Sequence, residues 1–441
     1  MIRLNGTMRC SEEGILEIGG VDVLRLRAEF GTPLVVIDEQ LVRATCREYR
    51  TCFERAPGGG MVLYASKAFL TPALCRIMES EGLGLDVVSG GELYIAREAG
   101  FPMDRVVFHG NNKSAEELEM ALDLGIGRIV VDNGSEMTML SRLAQDRDRP
   151  TDVFLRVTPG VEAHTHEYIR TGQIDSKFGF TLSDGSALQA ARDASGDPFL
   201  NLCGFHCHIG SQIFAMDSYR HAARIMCRFI RDVQEACGAT VAELDLGGGF
   251  GIYYSDGDTP TTIQEYADAV VIAVLEEAAL LGIPVPRILV EPGRSIIGPA
   301  GTSLYTVGTI KEIPEHRKYV ALDGGMTDNI RPALYGARYE ALLANRAGEV
   351  PSETVTLAGK CCESGDVLLR DVLLPPAKPG DLVAMTSTGA YGYAMASNYN
   401  ALPRPAVVLV CDGDADLIVS RESYGDLVRN ARIPERIRGC S

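Results

Sequence analysis

Lys67 closes the short apolar run Val62-Leu-Tyr-Ala-Ser. A lysine is rarely buried without a partner. It is either a strand-end side chain snorkelling to solvent or an amine able to form a Schiff base, its pKa lowered by burial. Gly247-Gly248-Gly249 follow another apolar run, Leu244-Asp-Leu. Glycines there let backbone N–H groups approach a phosphate, or simply make a tight turn; the spacing is neither G-x-G-x-x-G nor a Walker A sequence. Glu291-Pro-Gly-Arg294 ends a third run. Its carboxylate could keep a cationic ring nitrogen protonated, and its arginine could take a phosphate or carboxylate bidentately. An ordinary ion pair is the plainer reading. In Cys203-Gly-Phe-His206-Cys207-His208, strand alternation puts 206 and 208 on one face and 203 and 207 on the other, so four metal ligands do not converge. One or two histidines facing a site fit better, and His164-Thr-His166 is not read as a metal site either. Cys362 beside Glu363 could be a proton donor next to an amine ligand, or a small core residue.

The elements that position these groups follow a repeated order. Eight apolar, β-branched runs lie between residues 61 and 300: Val62-Leu-Tyr, Leu83–Val88, Val106-Val-Phe, Ile129-Val-Val, Val153–Val157, Leu202–Phe205, Leu244-Asp-Leu and Ile288-Leu-Val. Helix-like stretches separate them, including Pro72–Glu81, Gly91–Ala99, Ser114–Leu124, Ser135–Gln145, Tyr219–Ala236 and Ile263–Leu281. Near-continuous apolar strands alternating with helices predict parallel βα units, and eight of them fit an α/β (β/α)8 TIM-like barrel. A doubly wound open sheet is the alternative. A barrel places reactive groups just after its strands. Seven of the eight runs end so, in Ser66-Lys67, Asp86 and Ser89, His109-Gly-Asn-Asn, Arg156 and Thr158, His206 and His208, Gly247–Gly249, and Glu291–Arg294.

After residue 300 short strand-like runs separated by Pro-Gly and Asp-Gly turns predict a second, mainly β domain. The first 40 residues also look strand-rich and are expected to join it. The boundaries are therefore a barrel over 42–300 and a β domain from 1–41 with 301–441.

Composition narrows the function classes. Forty-two basic against 59 acidic residues leave a net charge of −17, which disfavours nucleic acid and anionic membranes as partners. The longest apolar runs, such as Ala269–Leu275, fall far short of the roughly 20 residues of a membrane span. No apolar signal region follows Met1. The 12 cysteines contain no C-x-x-C, so free thiols in a reducing cytoplasm are expected rather than zinc or disulfides.

Taken in order, the motifs resemble the fold-type III pyridoxal-phosphate decarboxylases, whose fold is alanine racemase-like. The resemblance runs from about Gly31-Thr-Pro-Leu to Tyr424. It rests on Tyr64-Ala-Ser-Lys67-Ala, Asp86-Val-Val-Ser89-Gly-Gly-Glu92, His109-Gly-Asn-Asn-Lys-Ser, Thr171–Gly179, His206-Cys-His-Ile-Gly-Ser211-Gln and Asp245-Leu-Gly-Gly-Gly-Phe. It continues through Glu291-Pro-Gly-Arg294, Asp323-Gly-Gly-Met, Arg331-Pro-Ala-Leu-Tyr335, Cys362-Glu-Ser-Gly-Asp366 and Gly389-Ala-Tyr391-Gly. The resemblance implies pyridoxal 5'-phosphate as cofactor, linked to Lys67. It implies that His208 stacks on the ring, that Ser211, Gly247–Gly249, Gly293 and Arg294 hold the phosphate, and that Glu291 pairs with the ring nitrogen. Tyr391 would contact cofactor and substrate; Arg294, Arg331, Tyr335 and Glu363 would bind substrate; Cys362 would be the general acid. It further implies a homodimer in which Cys362 and Glu363 reach the partner's cofactor. The implied reaction is loss of CO2 from the D-configured centre of meso-2,6-diaminopimelate, leaving L-lysine. Two features favour that substrate: Glu363, where similar ornithine-type enzymes have aspartate, and the Arg331–Tyr335 motif that they lack. A decarboxylase of the same fold acting on another amino acid is the alternative. A non-catalytic relative would be expected to lack Lys67 or Cys362, and a racemase would want a tyrosine base.

Overall fold

The computed structural model describes residues 2–160 and 176–437. His164-Thr-His166, the first five residues of the Thr171–Gly179 motif and Cys440 lie outside the described residues. The chain divides into two compact units, Val42–Gly298 and Met1–Leu41 with Pro299–Ser441.

In the first unit eight parallel strands close into a barrel. In order they are Met61–Ala65, Gly84–Val87, Val106–Phe108, Arg128–Val131, Thr151–Thr158, Leu200–His206, Glu243–Asp245 and Arg287–Val290. The last pairs with the first, Val290 opposite Val62, so there is no free edge and the open-sheet alternative is excluded. The strands are apolar along their length because helices cover one face and the barrel interior the other. Leu63, Val107, Val130, Phe154 and Leu289 fill that interior. The helices that follow strands are locally encoded. Ser114 and Thr262 form reciprocal capping boxes with Glu117 and Glu265. Ser89, a strand-end polar group in the sequence, accepts from the Glu92 amide at 3.2 Å and caps Gly90–Glu98. Met216–Cys237 buries Tyr219, Ala222, Ala223, Met226, Ile230 and Val233 at helical spacing. One helix, Ser186–Gly196, escaped the sequence pattern. Its buried face is four alanines, Ala187, Ala190, Ala191 and Ala194, with no large apolar residue to set a period.

The second unit is mainly β. A sheet runs in the order Val367–Leu374, Glu353–Ala358, Arg317–Leu322, Gly301–Ile313, Leu34–Asp38, Ala406–Cys411, Asp414–Val419. Leu382–Met385 pairs with Gly301–Ile313 and with Ala341–Leu343. The strand Leu34–Asp38, fully buried, lies between Gly301–Ile313 and Ala406–Cys411. The first 40 residues are strand-rich, as expected, but they also hold a helix, Val23–Phe30. Asp22, the end of the short strand Val21–Asp22, accepts from the Arg25 amide at 2.8 Å, and that cap starts the helix at Val23.

Candidate active site

Lys67 stands in a 3-10 turn, Ser66–Ala68, directly after the first barrel strand. Its side chain is 39% exposed, not buried as a desolvated lysine would be. Instead its ammonium pairs with the wholly buried carboxylate of Asp86, at the end of the second strand.

Glu291, after the eighth strand, is the centre of a buried polar cluster. Its Oε1 lies 2.7 Å from Nε2 of His109 and its Oε2 lies 3.5 Å from Nε2 of His206. The two imidazoles meet edge to face with centroids 4.7 Å apart. Burial alone would raise the Glu291 carboxyl, but His109 and His206 beside it hold it well below the usual carboxylate range. Burial and the Glu291 charge push Asp245 well above that range. The pair therefore keeps one proton on Asp245 and the negative charge on Glu291. Burial pushes His206 down to about 3, so it is neutral at working pH and acts on Glu291 as a dipole. Glu291 Oε1 has no well-aligned hydrogen-bond donor among the described residues. A buried, ionised oxygen in that state fits a cationic ring N–H. The ligand atoms of His109, His206 and Glu291 also lie within 4.8 Å of one another, a set able to hold a divalent cation.

The glycine loop abuts this cluster. A Cβ on Gly247 would lie 2.7 Å from the Cys207 carbonyl oxygen and 2.8 Å from Nδ1 of His208; one on Gly248, 2.2 Å from the Glu291 carbonyl; one on Gly249, 2.2 Å from the Gly210 carbonyl. Only glycine lets this backbone come so close to its neighbours. The Gly248 amide donates to Nδ1 of His208 at 3.2 Å, leaving the ring proton on Nε2. Burial, then the Lys67 and Arg156 charges, push His208 down to about 3, so its imidazole is neutral. Arg294 donates to the Ser211 hydroxyl at 2.8 Å and to the Tyr254 hydroxyl at 2.6 Å. A Cβ on Gly293 would stand 2.9 Å from that of Ala65, next to the lysine turn. The arginine, hydroxyl and glycine backbone make a cradle suited to a phosphate.

Two motifs prove partly structural. In His109-Gly-Asn-Asn-Lys-Ser, Lys113 is buried and donates to Glu136 at 2.6 Å and to the Gly110 and Val130 carbonyls at 2.8 Å. In the described end of the Thr171–Gly179 motif, Phe178 lies 4.2 Å from the Arg156 guanidinium, and the Gly179 amide donates to Asp132 at 3.0 Å.

The remaining predicted residues lie in the β unit, on three segments knitted together. The Lys360 amide donates to the Gly324 carbonyl at 3.0 Å and the Ser397 amide to the Thr327 carbonyl at 3.0 Å. Arg331 is buried, its guanidinium donating to the Tyr339 hydroxyl. Tyr335 is half-buried; Cys362 and Glu363 are exposed. The Glu363 carboxylate accepts from the Gly365 amide at 3.1 Å. Tyr391 has left-handed backbone (φ 59), as do Ser387, Asn400 and Ala401 nearby. Non-glycine strain concentrated in one segment is a mark of functional regions. Cys361, next to Cys362, is buried and its thiol is pushed up to about 11.

Sequence reasoning placed Asp86, His109, His206 and Arg156 at strand ends without roles; their position after consecutive strands was the available signal. The roles of Asp245 and Asn400 were missed, because each matters through a partner distant in the chain; Tyr339 was missed although its partner Arg331 is only 8 residues away.

An amine able to anchor a carbonyl cofactor, a cradle suited to a phosphate and an ionised carboxylate that fits a ring N–H, all at the end of a closed barrel, fit a pyridoxal-phosphate enzyme of the barrel class. Residues 39–298 match the family described as pyridoxal-dependent decarboxylase, pyridoxal binding domain, and the chain belongs to that family. Within it the chain falls among the diaminopimelate decarboxylases. It is 53% identical to diaminopimelate decarboxylase of Bacillus subtilis over 426 residues, 97% of each chain. The crystal structure of diaminopimelate decarboxylase from M. jannaschii in complex with L-lysine matches with a TM-score of 0.92 at 36% identity, over 98% of this chain and 100% of that one. The Helicobacter pylori enzyme complexed with L-lysine matches with a TM-score of 0.84 at 31% identity, over 92% of this chain and 98% of that one. Among the described residues no helix is long and apolar enough to cross a membrane.

Proposed function

We propose that the chain removes CO2 from the D-configured centre of meso-2,6-diaminopimelate, releasing L-lysine as the last step of lysine biosynthesis. The observation that carries the chemistry is Glu291, buried and ionised beside two histidines at the end of the barrel. Pyridoxal phosphate, when bound, supplies an electron sink for the pair left behind as CO2 departs.

The chain's own residues do the rest. Glu291 keeps the ring nitrogen protonated, and Asp245 and His206 stay neutral so that its charge is not spent elsewhere. Lys67 would provide the amine that anchors the cofactor; Asp86 pairs with that amine at the barrel mouth. His208, neutral, offers a flat face to the ring. Ser211, Arg294, Gly293 and the Gly247–Gly249 backbone hold the phosphate. Tyr391 contacts the cofactor and substrate. Arg331, Tyr335 and Arg294 answer carboxylate and Glu363 answers the distal ammonium; an answer to the distal carboxylate as well as the ammonium favours diaminopimelate over a diamino acid that ends in the ammonium alone. Cys362 returns a proton to the carbon that lost CO2.

The barrel groups and the Cys362 loop belong to different units of the chain. We propose a homodimer in which each subunit's Cys362 and Glu363 complete the partner's site. We also propose a cytoplasmic setting, which suits the 11 cysteines described, all of them free.

The test is purified protein with added pyridoxal phosphate and meso-diaminopimelate, both CO2 and L-lysine being quantified. Lysine formed in step with CO2 is expected. No lysine, with cofactor still trapped on Lys67 by borohydride, would move the reading to another amino-acid substrate.

A further inference from the structure

The loop of residues 361–366 is exposed from Cys362 to Gly365, yet it is tied at both ends. At its base Asp366, buried, accepts from the Cys361 amide at 2.8 Å and from the Met326 amide at 2.7 Å. Its carboxylate fits only because residues 325 and 359 are glycine; a Cβ there would lie 2.4 and 2.2 Å from Oδ2. At the tip the Cys362 amide donates to Oδ1 of Asn400 at 2.6 Å, across 38 residues of sequence.

Asn400 is shaped for this contact. It sits inside the 3-10 turn Tyr399–Ala401 with φ 55 and ψ 21, a left-handed conformation that asparagine tolerates better than other side chains. The turn is itself braced. Asn398 donates to the Leu402 carbonyl at 2.9 Å and to Glu422 at 2.6 Å, and Glu422 is paired with Arg404. The turn also ends the segment that carries Tyr391.

We propose that Asn400 is a positioning residue for Cys362, locking the backbone of the thiol-bearing residue so that Sγ points along one line of approach to the reacting carbon. A hydrogen bond to the amide of residue 362 restricts its φ, and with it the direction of its Cα–Cβ bond. Proton delivery is steep in distance and angle, so a loop free to swing would deliver from either side or not at all. The proposal rests on reading Cys362 as the acid.

Two substitutions separate the acceptor from the backbone. N400G keeps the left-handed conformation and removes the acceptor; N400D keeps both. Three readouts apply: kcat and KM, the stereospecificity of deuterium at the decarboxylated carbon in D2O, and hydrogen exchange of the 359–366 segment without cofactor. For N400G we expect faster exchange, a kcat lower by about fivefold or more with little change in KM, and scrambled deuterium, since misalignment of a reacting group is costly. N400D should restore all three. A loop tie with no catalytic part would alter exchange but leave stereospecificity intact, and that outcome overturns the proposal, as does an unchanged N400G. C362A is the companion. If it turns over normally with full stereospecificity, the acid reading itself fails; if only C362A is impaired, the failure belongs to Asn400 alone.

Discussion

Nδ1 of His208 accepts the Gly248 amide at 3.2 Å, while a Cβ on that same glycine would lie 2.2 Å from the carbonyl oxygen of Glu291. One glycine thus sets the spacing between His208 and Glu291, the residues proposed to face the cofactor ring and its nitrogen. Gly248→Ala must push the loop, His208 or Glu291 aside. Cofactor affinity should fall by about tenfold or more, since displaced packing and a lost hydrogen bond each cost on the order of 1 kcal/mol. Gly134→Ala, where nothing lies within 4 Å, should leave it unchanged. Absorbance titration of apoprotein with pyridoxal phosphate reads both; equal affinity in the two variants would reject the spacing argument.

Lys67→Ala should abolish turnover and the covalent capture of cofactor by borohydride together. Asp86→Asn should keep capture but slow turnover, because the lysine loses its charged partner. Retained turnover in Lys67→Ala would sink the central assignment.

Glu363→Gln should raise KM for meso-diaminopimelate with a smaller effect on kcat, because in the proposed role it removes a charge that would face the distal ammonium in every bound state. An unchanged KM in steady-state assays would argue against that contact.

The proposed sharing of sites across a dimer can be tested by mixing variants. Lys67→Ala and Cys362→Ala homodimers should each be inactive. Unfolded together and reassembled, they should recover up to about a quarter of wild-type activity, since half the dimers carry one intact site of two. No recovery, with mixed dimers shown to form, would place both residues in one subunit's site.

Glu92 offers a pH prediction. Burial raises its carboxyl to about 7 although the Val88 amide donates to it at 2.7 Å. Between the ordinary carboxylate range and about 7 the folded chain holds a proton that the unfolded chain has released. Stability should therefore fall as pH rises through that window. Glu92→Gln keeps the acceptor and has no charge to bury. It should flatten the fall and add about 1–3 kcal/mol at pH 8, the scale of a shift of two units or so. Thermal unfolding of both proteins from pH 5 to 8 checks this; parallel curves would count against it.

Legibility in the sequence followed physics rather than importance. The eight barrel strands could be read because parallel strands buried on both faces must be apolar throughout. Ser186–Gly196 could not, since an alanine face carries no amplitude. Val367–Leu374 was overlooked because Asp371, with φ 53, interrupts its alternation. In the candidate site, residues that announce themselves by position after a strand were visible: Lys67, His208, Glu291. The protonation split between Asp245 and Glu291 was not, because it depends on burial and on two histidines brought in from other strands. Asn400 was invisible for a related reason. Its meaning lies in a backbone angle and a partner 38 residues away.

The strand Leu34–Asp38 pairs in parallel with Ala406–Cys411, which is translated long after it. A ribosome that has not yet reached Ala406 therefore displays a bare, apolar strand edge, a ready template for wrong pairing. Truncation by a late stop codon would leave the same edge permanently open. Such products should be prey for chaperones and proteases even though every barrel residue has been made.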